Sequence, residues 1–231
     1  MKRNDVLVLI VIGCLLAIGA MIILPSLRES QVRRTPRHLV NQTQLRGIHQ
    51  AMVIYAQGNK DYFPGLDSSG AVVASAVSER FALLLDANSF TPEYLINPVE
   101  ASMAEALDVG SGYVVTPANH SYAGLELRTP GGRVNAWSVT MSYEEAVLSD
   151  RNTGVDATAN VQSVWTAAPG DWQGSVLRND NSTMFKKTHV VETAYTEPSS
   201  VPATTPGTRR EHTSDNLFEA AGAHDAWLVH D

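Results

Sequence analysis

The chain has 231 residues and a mass of 25.0 kDa, and 44% of its residues are hydrophobic while 18% are charged. This composition is too apolar for a disordered chain and too poor in Gly and Pro for a fibrous one. Residues 1–37 carry six basic and two acidic side chains, a net charge of +4, whereas residues 38–231 carry eleven basic and twenty-two acidic ones, a net charge of −11. The acidic body argues against nucleic acid as a partner, because phosphate binding needs clustered Lys and Arg. The single cysteine, Cys14, excludes an intrachain disulfide.

A membrane-spanning helix is predicted over residues 6–24, which follow a short cytoplasmic N-terminus at residues 1–5. The segment reads VLVLIVIGCLLAIGAMIIL and contains no charge. As a helix it would be roughly 28 Å long, close to the thickness of the bilayer core. Its Leu, Ile and Val side chains together favour insertion by about 4 to 8 kcal/mol. Within the segment, Gly13 and Ala17 form a small-xxx-small pair that would let two membrane helices approach closely.

Two alternatives to a membrane-spanning helix concern this N-terminal segment. A cleavable signal peptide or a lipidated Cys14 would each be followed by polar sequence, but LLAIGAMIIL follows the cysteine. The orientation is open on charge alone. Lys2 and Arg3 favour a cytoplasmic N-terminus, whereas the arginines between residues 28 and 37 favour the opposite orientation under the positive-inside rule.

The next predicted element is an amphipathic continuation of the helix over residues 25–58, kinked at its prolines. Pro36 is a good first helical residue, and Gly58 is a good C-terminal cap. Between them, apolar residues recur every three or four positions and form one stripe. The stripe consists of Leu45, Ile48, Met52 and Tyr55. Such a stripe must be buried against another layer.

Residues 59–231 are predicted to form an α+β globular domain with an antiparallel sheet, because no regular alternation of strand and helix recurs. A helix is predicted over 81–90 and a Pro-rich loop over 197–208. The Val-, Thr- and aromatic-rich segments predict strands. These are 112–118, 135–143, 160–165, 174–178, 188–195 and a final pair after residue 216.

One loop has the spacing of a cation site. Asp150, Asn152 and Asp156 place oxygen ligands at alternating positions beside Gly154, as a calcium loop does. The loop lacks a distal bidentate glutamate, and a solvated Asx/Gly turn explains the same residues. Histidine–aspartate pairs at 224–225 and 230–231 could contact a metal or form a polar chain end. No hydrolase, nucleotide-binding or Cys-x-x-Cys motif occurs, so no enzymatic activity, small-molecule substrate or cofactor other than calcium is predicted.

Several segments together resemble one bacterial family. The apolar N-terminal segment followed by QLRGIHQAMVIYAQGNKDYFPG is similar to the N-terminus of prepilin-type proteins, in particular type II secretion pseudopilin-like and type IV pilin-like proteins. The segments LSDRN, WQGSV, NDN and DNLF resemble later parts of the same family. The family-like positions are Leu45, Arg46, Tyr55, Pro64, Trp172, Gly174, Asn179, Asp180 and Asn181.

The resemblance implies a pilin-like fold, with one long N-terminal helix packed on an antiparallel sheet. It implies a non-enzymatic, single-pass component of a type II secretion or pilus-like assembly in the bacterial cytoplasmic membrane. The globular domain would lie outside the cytoplasm, and the partners would be further copies or other pilin-like subunits.

The chain also departs from the family pattern. Arg3 stands at the peptidase-site glycine, and Val8 stands at the in-membrane glutamate. Val40 and Asn97 stand where many relatives have cysteines. The main alternative is therefore a membrane-tethered periplasmic binding or adaptor module that no longer enters a filament. A membrane-anchored hydrolase with an unrecognised site is a third hypothesis.

Overall fold

The computed structural model describes residues 36–128, 137–166, 168–193, 213–220 and 227–231. The chain divides into two compact units, Met1–Pro36 and Arg37–Asp231. The predicted membrane helix over 6–24, the Gly13/Ala17 pair and the Pro-rich loop over 197–208 lie outside the described residues. The elements described below all belong to the second unit.

Helix α1 spans Arg37–Gln57 and begins directly after Pro36. Proline lacks a backbone N–H and disfavours helix on its N-terminal side, so a helix start at this point follows from the sequence. The predicted apolar stripe is confirmed, because Leu45, Ile48 and Met52 are buried and Tyr55 packs against the core. The predicted end is also confirmed, since the Gly58 N–H donates to the Tyr55 carbonyl at 3.1 Å.

The prediction of one long N-terminal helix packed on an antiparallel sheet, the pilin-like arrangement, was wrong. Within the described part of the chain there are two α-helices, α1 of 21 residues and α2, Val77–Asp86, of 10 residues. The strands of this described part form three separate antiparallel sheets rather than one. Neither described helix has the length and apolar character needed to cross a bilayer.

The described strands are β1 Leu107–Asp108, β2 Tyr113–Val114, β3 Tyr122–Leu125, β4 Ala146–Asp150, β5 Gly174–Arg178, β6 Thr183–Lys186, β7 Val190–Thr193, β8 Thr213–Asn216 and β9 Leu228–Val229. The main sheet has five of them in the order β6-β5-β4-β3-β9, and every neighbouring pair is antiparallel. Helix α1 packs on β5 and β6 of this sheet. Two further sheets each have two strands, β1 with β2 and β7 with β8.

The predicted strands had mixed outcomes. Strand β5 coincides with the predicted 174–178, and β7 lies inside the predicted 188–195. The strands predicted at 135–143 and 160–165 were wrong, because their described residues form turns with single bridges at Ser138 and Ser163. Aromatic and β-branched residues are typical of strands, which explains the prediction. Here Trp137 and Val161 lie in segments without regular secondary structure, and their side chains are buried in the core.

Helix α2 begins four residues before the predicted helix over 81–90. The side chain of Glu79 accepts a hydrogen bond from the Ala76 N–H at 3.1 Å and so satisfies a free donor at the helix start. The capping interaction therefore marks the start of α2 at Val77. Apolar periodicity alone predicted a start at residue 81.

The core is one continuous apolar cluster between the helices and the main sheet. Its largest fully buried side chains are Trp137, Trp172, Tyr122 and Phe63. One cation is buried with them: the Arg80 guanidinium lies 5.4 Å from the centre of the Trp137 ring and donates to the Leu125 carbonyl at 2.7 Å. Burial lowers the pKa of Arg80 to about 10.

Candidate functional site

Asp150, at the end of β4, is the most completely enclosed carboxylate of the predicted site residues. Its side chain is fully buried and accepts five hydrogen bonds. The Asn41 amide donates to both oxygens at 2.8 and 3.1 Å, and the Asn97 amide donates at 2.9 Å. The Trp165 indole N–H and the Ser175 backbone N–H each donate at 2.7 Å. All of these donors are neutral.

The donors come from separate parts of the chain. Asn41 lies in the second turn of α1 and also donates to the Ser175 hydroxyl at 3.0 Å. The Tyr122 hydroxyl on β3 donates to the Asn41 side-chain oxygen at 2.8 Å. Asn97 is held by the Ser121 hydroxyl, which accepts from its backbone N–H at 2.9 Å. Asn41, Asn97, Tyr122, Asp150, Trp165 and Ser175 are called the Asp150 cluster below.

The electrostatics of the Asp150 cluster follow from burial. Removal from water raises the pKa of Asp150 to about 6, although the hydrogen bonds from Ser175, Asn41, Trp165 and Asn97 oppose the shift. The pKa of Tyr122 is raised well above its ordinary value, first by burial and then by the nearby Asp150 charge. A carboxylate that is saturated with donors and closed to solvent cannot reach a substrate. The cluster therefore ties α1 to the main sheet.

The other two predicted calcium ligands lie in the loop after β4. The Asn152 side-chain oxygen accepts from the backbone N–H groups of Gly154 at 2.8 Å and Gln162 at 3.0 Å. One Asp156 oxygen accepts from the N–H groups of Thr158 and Asn160, both at 2.9 Å. These bonds lower the pKa of Asp156. The loop thus has Asx-type bonding, with the Asp150 oxygens engaged in the core, and calcium binding stays a prediction.

An open cleft of about 350 Å³ lies between this loop and the last strand, β9. Asn152 and Asp156 contribute to one wall, and Arg128, His230 and Asp231 add further polar groups. Arg128 pairs with Glu126 at 2.8 Å and with Asp231 at 2.6 Å, so its charge is balanced. The cleft could hold a small polar group or a peptide segment. Within the described residues, no group of three or more His, Cys, Asp or Glu side chains could hold a metal ion.

The final His–Asp pair of the sequence packs against a buried histidine. The rings of His120 and His230 lie 4.3 Å apart, and the two residues also meet through the His230 Nε2, 2.9 Å from the His120 carbonyl oxygen. Burial and then His230 lower the pKa of His120 to about 3, and burial also lowers the pKa of His230. Both rings are therefore neutral at physiological pH. The pair at 224–225 lies outside the described residues.

The family-like positions are mainly parts of the internal framework. Leu45 and Trp172 are buried, and a side chain at Gly174 would meet the Trp172 ring at 2.6 Å. The Pro64 carbonyl accepts from the Trp137 indole at 2.9 Å. Tyr55 packs against the core, and Arg46 is exposed.

The NDN segment forms the turn between β5 and β6 and contacts α1. The Asn179 amide donates to the Met141 carbonyl at 2.9 Å, and its oxygen lies 3.3 Å from the buried His49 of α1. Asp180 accepts from the Ser182 N–H at 2.8 Å, and Asn181 has a positive φ of 63°. The segment therefore forms the β5–β6 turn and connects the main sheet to α1 through Asn179.

Sequence analysis missed the donors of the Asp150 cluster. Asn41 is 109 residues from Asp150, and Asn97 is 53 residues from it, so no local spacing reveals the contact. The one available signal was the family pattern, in which Asn97 stands at a cysteine position and Asn41 follows another. No known protein family, no curated protein and no solved structure matches this chain.

Proposed function

We propose that this chain is a non-enzymatic, membrane-anchored subunit of a bacterial envelope assembly of the type II secretion or pilus-like kind. The observation that carries the proposal is the convergence of the family-like segments. Leu45 of α1 and Trp172 before β5 belong to the same buried core, and a side chain at Gly174 of β5 would meet the Trp172 ring. Asn179 after β5 contacts the buried His49 of α1. The resembled residues thus lie in the core and at the contact between α1 and the β5 turn.

The chemistry of the strongly perturbed groups supports the same proposal. Asp150 and His120 have the largest pKa shifts among the carboxylates and histidines described above, and both are sealed in the core. Perturbed groups at an active site lie in a cleft that substrate can enter. Here the perturbation is a consequence of burial, and the hydrogen bonds that Asp150 accepts offset part of its cost.

Anchoring and location rest on the sequence. The apolar segment over 6–24 would hold the chain in the cytoplasmic membrane, with α1 beginning thirteen residues after its end. The resemblance favours a body that lies outside the cytoplasm, whereas the arginines between residues 28 and 37 favour the opposite orientation. Membrane lipids and further copies or other pilin-like subunits are the proposed partners.

A second candidate is a membrane-tethered periplasmic binding or adaptor module. The cleft of about 350 Å³ beside Asp156 and His230 favours it, because its volume is in the range of small ligand sites. The replacements at Arg3 and Val8 favour it as well. The two candidates differ in whether the chain binds copies of itself.

Amine-reactive crosslinking of the full chain in intact cells tests the proposal. We expect multimers, and we expect the chain to stay in membranes after an alkaline wash. The variant Val11→Arg with Leu15→Arg should lose both properties, because each central Arg opposes insertion by about 3 kcal/mol. Val11→Ile with Leu15→Ile is the matched control. A chain that is washed from the membrane, or a membrane-bound monomer, would contradict the assembly role.

A further inference from the structure

One surface of the body combines exposed apolar side chains with two exposed carboxylates, Glu105 and Asp108. It consists of strands β1 and β2, their connection and the preceding Glu105, and is called the acidic hairpin below. Leu107 is 69% exposed, Val109 57% and Val114 49%. Leu107 and Val114 are directly paired across the two strands, so they lie side by side on one face.

The acidic hairpin is held rigidly despite this exposure. The Asp86 carboxylate at the end of α2 accepts from the Tyr113 N–H at 2.7 Å, and the Tyr113 ring packs against the core. The Asn119 amide donates to the carbonyls of Ala104 and Glu105 at 3.1 and 3.3 Å. These bonds hold the hairpin with its apolar face exposed. A preorganised, exposed apolar patch is the form that a protein interface takes.

The charge around the hairpin defines the partner. From residue 81 to residue 119 the chain has five carboxylates and not one Lys, Arg or His. They are Asp86, Glu93, Glu100, Glu105 and Asp108. Glu100 pairs with Arg151 and Asp86 is engaged by Tyr113, but Glu105 and Asp108 are exposed. A binding segment should therefore be basic and carry apolar side chains.

The chain itself contains such a segment. Residues 26–37, SLRESQVRRTPR, contain four arginines and one glutamate together with Leu27 and Val32. No other stretch of this length in the sequence has as many basic residues. Its residues 26–36 precede α1 and belong to the other compact unit, whereas Arg37 is the first residue of α1.

We propose that the acidic hairpin of one copy binds the arginine-rich segment 26–37 of a second copy. This inference rests on the proposed assembly function and names one of its contacts. The two surfaces are different, so the contact is heterologous: each copy offers one hairpin and one basic segment, and further copies can add in the same way. Charge complementarity sets the pairing, and the apolar face of Leu107, Val109 and Val114 supplies the area that is removed from water.

Crosslinking between two differently tagged copies of the full chain in membranes tests the contact. Both copies carry Cys14→Ser; one also carries Val109→Cys and the other Arg33→Cys. We expect a mixed-tag dimer with a bismaleimide reagent. Val155→Cys in place of Val109→Cys is the matched control, since Val155 is an 89% exposed valine elsewhere on the body. It should give about tenfold less product.

A charge exchange then separates this contact from a general association. Glu105→Lys should lower the mixed-tag product several-fold, and Arg34→Glu in the other copy should restore it, because the pair is reversed rather than removed. Leu107→Ser should lower it by about tenfold without rescue, as loss of an interface anchor does.

The outcomes distinguish the two proposals. If amine-reactive crosslinking gives multimers but the Val109–Arg33 pair gives no more product than the Val155 control, the hairpin contact is wrong and the assembly role stands. If neither reagent links two copies, both proposals fail. Same-tag dimers formed in the same yield as the mixed-tag dimer, or a product formed with another protein, also overturn the hairpin contact.

Discussion

Asp150 is a buried carboxylate whose surroundings supply hydrogen bonds rather than a cation. Burial of an ionised group is costly unless its oxygens are fully paired. The cluster meets this requirement with neutral donors from α1, β5 and two loops. The same residue was predicted as a calcium ligand from its spacing to Asn152 and Asp156. For a single residue such as Asp150, the surrounding donors and the burial of the side chain determine what it binds, and its spacing to other carboxylates in the sequence does not.

Replacement of Asn41 tests the importance of the cluster. Asn41→Ala should lower the free energy of unfolding by about 2 kcal/mol, because a buried carboxylate loses a charge-assisted donor and the Tyr122 hydroxyl loses its acceptor. Denaturant unfolding of the detergent-solubilised chain, followed by tryptophan fluorescence, measures the change. Gln50→Ala on the exposed face of α1 is the control and should change stability by less than about 0.5 kcal/mol. Equal effects of the two variants would contradict the assignment.

The pH dependence of stability has two opposed contributions. The pKa of Asp150 is raised from 3.8 to about 6, so the folded state binds the extra proton and acidification between those values stabilises it. The pKa of His120 is lowered from 6.5 to about 3, so the unfolded state binds the extra proton and acidification destabilises the fold. His49 and His230, whose pKa values burial also lowers, act in the same direction as His120.

Without the Asp150 carboxylate, the pH dependence of stability should therefore be dominated by the buried histidines. Between pH 6 and pH 4, Asp150→Asn should lose stability on acidification more steeply than the parent chain, by up to about 1.4 kcal/mol per pH unit. The slope of unfolding free energy against pH is the measured quantity, so the variant's absolute stability does not matter. Identical slopes in the two proteins would show that Asp150 keeps its ordinary pKa.

At the scale of elements, the helices and sheets are fixed by caps and buried contacts as much as by periodicity. Helix α1 has the predicted stripe and C-terminal end, and Pro36 marks its start. Helix α2 starts where Glu79 caps it. Gly174 is required at the start of β5, since any side chain would meet the Trp172 ring. The prediction of one long helix joined the apolar segment to the amphipathic one, and it was wrong because α1 begins at Arg37, directly after Pro36.

The apolar segment over 6–24 carries a prediction of its own. If Gly13 and Ala17 bring two membrane helices together, Gly13→Leu should weaken self-association by preventing close approach of the backbones. Crosslinking through Cys14 in membranes measures it. Gly19→Leu, which adds the same side chain on a different face of a helix, is the control. Unchanged crosslinking in Gly13→Leu would mean that this pair faces lipid.

For the whole molecule, the distribution of charge bears on how copies associate and on which side of a membrane the body would lie. The basic N-terminal 37 residues and the acidic remainder have opposite net charge, so two copies of the chain can attract each other through different surfaces. The arginines between 28 and 37 alone would favour a cytoplasmic body. The resemblance to prepilin-type proteins favours a body outside the cytoplasm.

A topology reporter decides between these orientations. A reporter that is active only outside the cytoplasm, fused after Asp231, should be active in the full chain. The same reporter fused after Asp5, before the apolar segment, should be inactive. The reverse pair of results would place the body in the cytoplasm and would remove the basis of the assembly proposal.

The sequence by itself determined the features that depend on neighbouring residues. These are the apolar segment, the stripe and end of α1, strand β5 and the uneven charge, because periodicity, capping and composition are local properties. Only the tertiary structure decided the role of Asp150, the separation of the strands into three sheets and the exposure of the acidic hairpin. Asn41 and Asn97 reach Asp150 across 109 and 53 residues, and such contacts depend on how the whole chain packs. The physical reason is that a buried charge is defined by its three-dimensional surroundings, which no short stretch of sequence encodes.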